Sequence, residues 1–232
     1  MLAIIQSRFN SVRLPGKALM PIHKTSVLER TIAQVKKAKL VKKIIVATST
    51  EKHDDSICQM LSGIGVDFYR GELDDVGHRV LNAAQHYNAP AFVRICGDSP
   101  FLDWRIVDES IKLFHSAFTD LVSNVFHRTF PKGQSVEVIS TDALYKLCKT
   151  KRSQSEKEHL TKGFYANFTD YKIISITSGG KFGECNHCID IDSDLLFANQ
   201  MIKNHSLDDA SWQEIETVFQ KSRSVEGDNF IP

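Results

Sequence analysis

Short apolar runs alternate with stretches of helical periodicity along the first half of the chain. Residues 2–6, 43–48, 66–70 and 91–95 have the length and apolar character of buried strands. The predicted helices between them carry apolar residues at helical spacing: Leu28, Ile32 and Val35 after the candidate N-cap Ser26, then residues 54–61, then Val76, Val80, Ala84 and Tyr87, then Val107, Ile111, Phe114 and Phe118. Strands that are apolar on both faces and alternate with helices predict an α/β fold with a mostly parallel sheet covered by helices.

The pattern changes after about residue 121. Residues 121–125, 135–140 and 171–177 are predicted strands, and residues 141–149 and 157–168 are predicted helices. No Gly/Ser/Pro-rich linker separates them from the first half, so we expect them to extend the same core. A last strand over 188–192, a helix over 195–203 and a helix marked by Trp212, Ile215 and Phe219 precede a polar tail. We therefore expect one domain over 1–205, with an inserted region at about 126–177, and a C-terminal helix and tail over 206–232.

The composition is that of an ordinary globular protein, with 42% hydrophobic and 25% charged residues among 232. A net charge of +1 gives no support to a nucleic-acid-binding protein. We also expect no membrane span and no signal peptide, since the apolar runs are too short for either. Five cysteines, an odd number, favour reduced thiols and a cytoplasmic location. The pair Cys185 and Cys188 lacks the second half of a zinc site.

A cation-rich loop follows the first predicted strand. It carries Arg8, Arg13 and Lys17 together with the turn-forming pair Pro15-Gly16. Ligands of parallel sheets bind beyond the carboxyl ends of the strands, so this loop is a candidate site for a polyanion such as a triphosphate. It differs from the phosphate loop of ATPases, because Ala18 stands where a magnesium-binding hydroxyl is needed. A solvated surface loop is the alternative interpretation.

Three aspartates are candidate metal ligands. Asp98 directly follows the fourth predicted strand, so we expect its carboxylate at the same crevice, where it could bind magnesium. A turn residue or helix cap is the alternative. Asp190 and Asp192 alternate in the last predicted strand, which would place both carboxylates on one face. Two such carboxylates repel each other unless a cation pairs them, and a capping role for Asp192 would explain only one of them.

These motifs together resemble those of the sugar cytidylyltransferases. The similarity is greatest to the group of spore coat polysaccharide biosynthesis, with CMP-acylneuraminate and CMP-KDO synthetases as more distant relatives. It spans most of residues 1–200 in order, through residues 4–8, Ser11, 13–17, 46–50, 69–72, 75–76, 93–100, 136–138, 158–161 and the pair Asp190 and Asp192. The segment from Arg13 to Lys17 and the Gly-Asp-Ser-Pro turn are specific in combination.

The resemblance implies a three-layer, Rossmann-like nucleotidyltransferase fold with an inserted strand-and-helix dimerisation region. It also implies a reaction in which CTP and a sugar, which we expect to be acidic, give a CMP-sugar and pyrophosphate for surface polysaccharide or glycan synthesis. Arg8, Lys17 and Asp98 would be catalytic. The nucleotide-binding set would be Arg8, Ser11, Arg13, Gly16, Lys17, Thr48, Arg70 and Gly97. Mg²⁺ would be held by Asp98, Asp190 and Asp192.

The acceptor sugar and a second subunit are further expectations from the resemblance. The acceptor would contact His127, Arg128, Lys132, Glu137 and His159, and the inserted region would form a two-fold homodimer. Ser135 and Lys132 stand where acids are usual in the family, which points to a different acceptor. Two other functions stay open: a nucleotidyltransferase that uses another nucleoside triphosphate, and a non-catalytic regulatory domain on the same fold. The retained charged residues argue against the regulatory domain.

Overall fold

One seven-stranded sheet forms the centre of the molecule. The computed structural model describes residues 1–228. Its strands are β1 (Leu2–Gln6), β2 (Pro21–Ile22), β3 (Thr25–Ser26), β4 (Lys43–Ser49), β5 (Asp67–Gly71), β6 (Ala91–Cys96), β7 (Leu121–Ser123), β8 (Glu137–Ser140) and β9 (Ile173–Ser175). The order in the large sheet is β5-β4-β1-β6-β8-β7-β9, while β2 and β3 form a separate hairpin. Strands β5, β4, β1 and β6 are parallel, and β8 is antiparallel to both of its neighbours.

Helices cover both faces of this sheet. They are α1 (Val27–Lys36), α2 (Asp55–Gly63), α3 (Val76–His86), α4 (Trp104–Ser116), α5 (Thr141–Cys148), α6 (Gln154–Glu158), α7 (Lys162–Ala166), α8 (Asp192–Asn204) and α9 (Trp212–Asp228). Ser26 begins α1 as predicted, because its hydroxyl accepts from the Glu29 amide while the Glu29 carboxylate accepts from the Ser26 amide. The predicted α/β fold with a mostly parallel sheet is confirmed.

Alternate residues of each strand enter two apolar layers. Ala3 and Ile5 of β1 lie in the layer formed with α1, α2 and α4. Leu2 and Ile4 lie in the opposite layer, formed with α3, α5 and α7. Successive side chains of a strand point to opposite faces, so a continuous apolar run is what a sheet covered on both sides requires.

A third apolar cluster attaches the C-terminal helices to the domain. Met201 of α8 and Phe219 of α9 pack with Leu14, Ile22 and Phe101, so the two helices lie against the segments that follow β1 and β6. The predicted tail falls partly on residues 229–232, which lie outside the described residues. Within residues 1–228, the structure contains no helix long and apolar enough to cross a membrane.

Some local predictions were wrong. Residues 188–191 form an irregular segment rather than a strand, and Asp192 is already the first residue of α8. Phe118 lies beyond the end of α4 and is 93% exposed. The helix predicted over 157–168 is divided between α6 and α7. In each case the local pattern of apolar and polar residues was compatible with the predicted element, but the backbone follows another course.

The backbone of the irregular segment lies very close to Gly133. A side-chain Cβ at this position would come within 2.7 Å of the His187 carbonyl carbon and the Cys188 nitrogen, and the φ angle of Gly133 is +91°. The His187 amide donates to the Lys132 carbonyl at 2.8 Å, and the Lys132 amide donates to the Cys185 carbonyl at 2.8 Å. Glycine is therefore required both by the backbone conformation and by the contact.

We predict that Gly133→Ala lowers the free energy of unfolding by about 2–4 kcal/mol, because left-handed strain adds to a backbone clash. Gly65→Ala is the matched control, since Gly65 has a φ of +66° and open space around its missing Cβ. It should lose only about 1 kcal/mol. Denaturant unfolding measures both variants, and equal losses would contradict the proposed contact.

Candidate active site

A cavity of about 310 Å³ lies at the carboxyl ends of β1 and β6. The predicted site residues that line it are Arg8, Ser11, Arg13, Lys17, Gly97, Asp98, His159 and Asp190. Residues 8–17 leave β1, and Asp98 follows β6, its parallel neighbour. The parallel register therefore brings two distant segments to one edge of the sheet, where ligands of such sheets bind.

Lys17 is at the centre of the polar contacts in this cavity. Its Nζ donates to Asp98 Oδ2 at 2.6 Å, to the Ile189 carbonyl at 2.7 Å and to Asp190 Oδ1 at 3.0 Å. Only 12% of the Lys17 side chain is exposed. Three segments far apart in sequence thus meet at one ammonium group.

The charges of this cluster reinforce one another. Burial alone would lower the pKa of Lys17, but Asp98 and Asp190 outweigh it, so the pKa is raised above its usual value. Burial likewise would raise the pKa of Asp190, and Lys17 and Arg13 outweigh it, so that pKa is lowered. Lys17 is a cation and Asp190 an anion at neutral pH.

The turn at Gly16 delivers Lys17 to this position. Gly16 has a φ of +75°, and its amide donates to the Phe9 carbonyl at 2.8 Å, which closes the loop that follows β1. Lys17 then begins a short 3₁₀ turn over Lys17–Leu19. Arg13, on the exposed part of the loop, contacts Asp190 Oδ2 at 2.9 Å.

Two arginines occupy the other side of the cavity. Arg8 Nη2 lies 2.7 Å from Glu158 Oε1 of α6. Arg79 of α3 is 2% exposed and donates to the backbone carbonyls of Glu72 and Leu73. Its Nε has no partner among the described residues. Burial and the nearby Arg8 lower the pKa of Arg79 to about 10, so it stays protonated. Sequence reasoning missed Arg79 because its spacing on α3 is that of a buried helix position.

The predicted nucleotide ligands Thr48 and Arg70 do not line the cavity. The Thr48 hydroxyl is buried and donates to Asp54 Oδ2 at 2.8 Å. Arg70 Nη1 donates to Asp55 Oδ1 at 2.6 Å, and its other nitrogens donate to the backbone carbonyls of Ser49 and Glu51. Asp54 also accepts from the Phe9 amide at 2.7 Å, so this cluster supports the loop that carries Arg8.

Of the three predicted metal ligands, the structure brings two together. Asp98 and Asp190 share Lys17, whereas Asp192 is exposed on the first turn of α8 and does not line the cavity. The expected common face of Asp190 and Asp192 is wrong, because the backbone there is not a strand. The two carboxylates and the Ile189 carbonyl are hard oxygen donors around one cationic point, a donor set that fits Mg²⁺.

The predicted acceptor residues are dispersed. Only His159 lines the cavity. Glu137 is fully buried, where its carboxylate accepts from Arg94 Nη1 at 2.6 Å and from the Tyr165 hydroxyl. Lys132 is exposed and lies 3.9 Å from Glu184. The other two predicted acceptor residues lie in the segment between β7 and β8. His127 is exposed, and Arg128 Nη2 donates to Ser135 at 3.1 Å.

Comparison with known proteins agrees with this geometry. The family model described as cytidylyltransferase matches residues 2–209. The spore coat polysaccharide biosynthesis protein SpsF of Bacillus subtilis is 24% identical over 83% of this chain and 81% of its own. The 3-deoxy-manno-octulosonate cytidylyltransferase of Geobacter sulfurreducens is 32% identical over 47% of this chain and 43% of its own.

A solved structure matches nearly the whole chain. The cytidylyltransferase of Leptospira borgpetersenii serovar Hardjo-bovis superimposes with a TM-score of 0.91 and 29% sequence identity, covering 97% of this chain and 95% of that one. The resemblance predicted from the motifs is thereby confirmed, together with the nucleotidyltransferase fold that it implied. On the match over residues 2–209, the chain belongs to the cytidylyltransferase family and is a nucleotidyltransferase enzyme.

Proposed function

We propose that the enzyme transfers CMP from CTP to a hydroxyl group of an acidic sugar and releases pyrophosphate. The observation that carries this proposal is the single cavity in which Arg8, Arg13 and Lys17 face Asp98 and Asp190. A triphosphate needs cations around its oxygens, and a metal that it shares with the protein needs carboxylates.

The residues of the cavity have distinct parts in this reaction. The sugar hydroxyl attacks the α-phosphorus and gives up its proton to solvent, the bond from that phosphorus to the bridging oxygen breaks, and pyrophosphate leaves. Negative charge develops on the phosphate oxygens, where Arg8, Arg13 and Lys17 stabilise it. Positioning and electrostatics suffice for such a transfer, so no covalent nucleophile of the chain is needed. Bound Mg²⁺ would neutralise charge on the triphosphate and the leaving group.

Lys17 changes partners in this proposal. Its ammonium group is the counter-ion of both Asp98 and Asp190. These two carboxylates would hold Mg²⁺, and the Lys17 ammonium would then be available to the triphosphate. Arg8 likewise exchanges Glu158 for phosphate oxygens. Binding of the triphosphate thus replaces ion pairs that already exist within the protein.

A sugar as acceptor is supported by two relatives, and an acidic sugar by one of them. One relative is named for polysaccharide biosynthesis, and the other for 3-deoxy-manno-octulosonate, a sugar acid. All five cysteines are free, which fits the cytoplasmic location that we also propose.

The direct test is pyrophosphate release with each of the four nucleoside triphosphates over a panel of acidic and neutral sugars. We expect release with CTP and an acidic sugar in the presence of Mg²⁺, because the cavity combines cations with hard oxygen donors. Equal rates with all four nucleotides would contradict CTP specificity. Release with neutral sugars alone would contradict an acidic acceptor.

Lys17→Ala should lower kcat by about 10²-fold or more, since a charge that acts on the transferred phosphate is lost. The substitution also leaves Asp98 without its counter-ion and Asp190 with Arg13 alone, so Mg²⁺ should raise the Tm of this variant more than that of the wild type. Lys24→Ala, which removes an exposed lysine, is the control. Near-normal turnover, or a Tm indifferent to Mg²⁺, would remove Lys17 from the proposed role.

We further propose a two-fold homodimer formed through residues 126–177. Phe168 in this region is 55% exposed and Tyr145 is 44% exposed, an apolar surface that a second copy would cover. Light scattering should give twice the 26.2 kDa mass of the chain, and Phe168→Asp should shift it toward the monomer. A monomeric wild type with full activity would contradict the dimer.

A further inference from the structure

A buried pair of side chains joins the C-terminal helix to the segment that carries Asp190. His187 Nε2 lies 2.6 Å from Glu216 Oε2 of α9, and the two side chains are 0% and 4% exposed. Glu216 Oε1 also accepts from Gln220 Nε2 at 2.9 Å. A buried carboxylate with a hydrogen-bond partner on each oxygen is a built structural contact rather than a chance approach.

Gln134 determines the tautomer of His187. The Gln134 Oε1 accepts from the Asp103 amide at 2.8 Å, so its amide nitrogen faces the Phe101 carbonyl at 2.7 Å and His187 Nδ1 at 3.1 Å. His187 Nδ1 must therefore accept a hydrogen bond from this amide, and Nε2 carries the hydrogen that is donated to Glu216. The imidazole is neutral, which agrees with a pKa that burial lowers although Glu216 opposes the shift. Its ring orientation is held from both sides.

The backbone that follows His187 is anchored at each step toward the cavity. The Ile189 amide donates to the Asp98 carbonyl at 3.0 Å, and the Ile189 carbonyl accepts from Lys17. The Asp190 amide then donates to Asp194 Oδ2 at 2.8 Å. Through His187, helix α9 therefore supports a hydrogen-bonded backbone segment that leads over three residues to the Asp190 carboxylate.

We infer that Glu216 is a positioning residue for the cavity: through His187 it fixes the backbone that presents the Ile189 carbonyl and the Asp190 carboxylate. This inference rests on the proposed function, in which these oxygens hold Mg²⁺. Helix α9 begins at Trp212, beyond the residues 2–209 that the family model matches. Helix α9, which lies outside the matched region, therefore supports Asp190, a proposed metal-binding residue within that region.

The charge of Glu216 matters because both side chains hydrogen-bonded to its carboxylate, His187 and Gln220, donate to it. In Glu216→Gln, one oxygen can still accept from His187, but the new NH₂ group replaces the oxygen that accepts from Gln220. The side chain then loses both a hydrogen bond and the negative charge that faces the His187 N–H, so the hydrogen bond that holds the ring of His187 is weakened. Groups that orient metal ligands typically change metal affinity by about 10- to 100-fold when they are altered.

The first measurement is amide hydrogen exchange of the metal-free protein. Exchange at His187 and Ile189 should be about tenfold faster in Glu216→Gln than in the wild type, because both amides donate within the anchored segment. Glu214→Gln is the matched control. Glu214 lies two residues away on the same helix, is exposed, and caps α9 through Ser211 without contact to this segment. Unchanged exchange in a folded Glu216→Gln would overturn the inference.

The second measurement is Mn²⁺ binding to the CTP-saturated protein without acceptor, followed by electron paramagnetic resonance. We expect Glu216→Gln to weaken Mn²⁺ binding about tenfold or more and to change the affinity for metal-free CTP less than about twofold. Equal losses for Mn²⁺ and CTP, or the same loss in Glu214→Gln, would show a general loosening and overturn the positioning role. If Glu216→Gln does not fold, Glu216→Asp retains the charge and displaces it by one methylene, and the same two readouts apply.

The wild type separates this inference from the proposed function. A wild-type protein that binds no Mn²⁺ with CTP, and releases no pyrophosphate with any sugar, contradicts the proposed function. Amide hydrogen exchange at His187 and Ile189 in the metal-free variants then tests, independently of the metal, whether Glu216 holds this segment in place. Faster exchange with unchanged Mn²⁺ binding would leave the link without a role in the site and would overturn the positioning inference.

Discussion

The rest of the cavity depends on the ion pairs that the ammonium group of Lys17 makes with Asp98 and Asp190. This ammonium group is largely withdrawn from water, and removing a charge from water is costly unless opposite charges and hydrogen bonds replace the lost hydration. Asp98, Asp190 and the Ile189 carbonyl supply that replacement. The loop after β1, the turn after β6 and the segment before α8 must therefore adopt mutually compatible positions. A shift in any one of them would leave a buried charge without its partner.

The surrounding structure meets this requirement by holding two of these segments, the loop after β1 and the segment before α8, with contacts of their own. Asp54 holds the loop after β1 through the Phe9 amide, and Gly16 closes that loop. The segment before α8 is held by Gly133 at close approach and by Asp194 at the start of the helix. These contacts give a structural role to residues that match the family motifs but do not line the cavity, such as Thr48 beside Asp54.

Most charged groups in the cavity are already paired within the protein. Arg8 faces Glu158, Arg13 faces Asp190, and Lys17 faces two aspartates. Binding of an anion is then an exchange of partners, in which the gain is the difference between two charged contacts and not the full strength of one. Arg79 is the exception among the cavity arginines, since its guanidinium rests on backbone carbonyls and has no carboxylate partner among the described residues.

The sequence by itself determined the alternation of strands and helices, the parallel sheet, the cationic loop after β1 and the family. These are consequences of local periodicity and of short motifs: the run 2–5 is apolar at every position on both faces, and the Gly16 turn places Lys17 just beyond the end of the strand. Only the tertiary structure decided that Asp190 and not Asp192 faces Lys17, because the segment before α8 follows contacts with Asp98 and Asp194 instead of a strand's period of two. It also decided that Glu137 is a buried partner of Arg94 and that Glu216 contacts His187. Such pairings join residues 29 to 173 positions apart, and local patterns carry no information about which distant side chain will neutralise a buried charge.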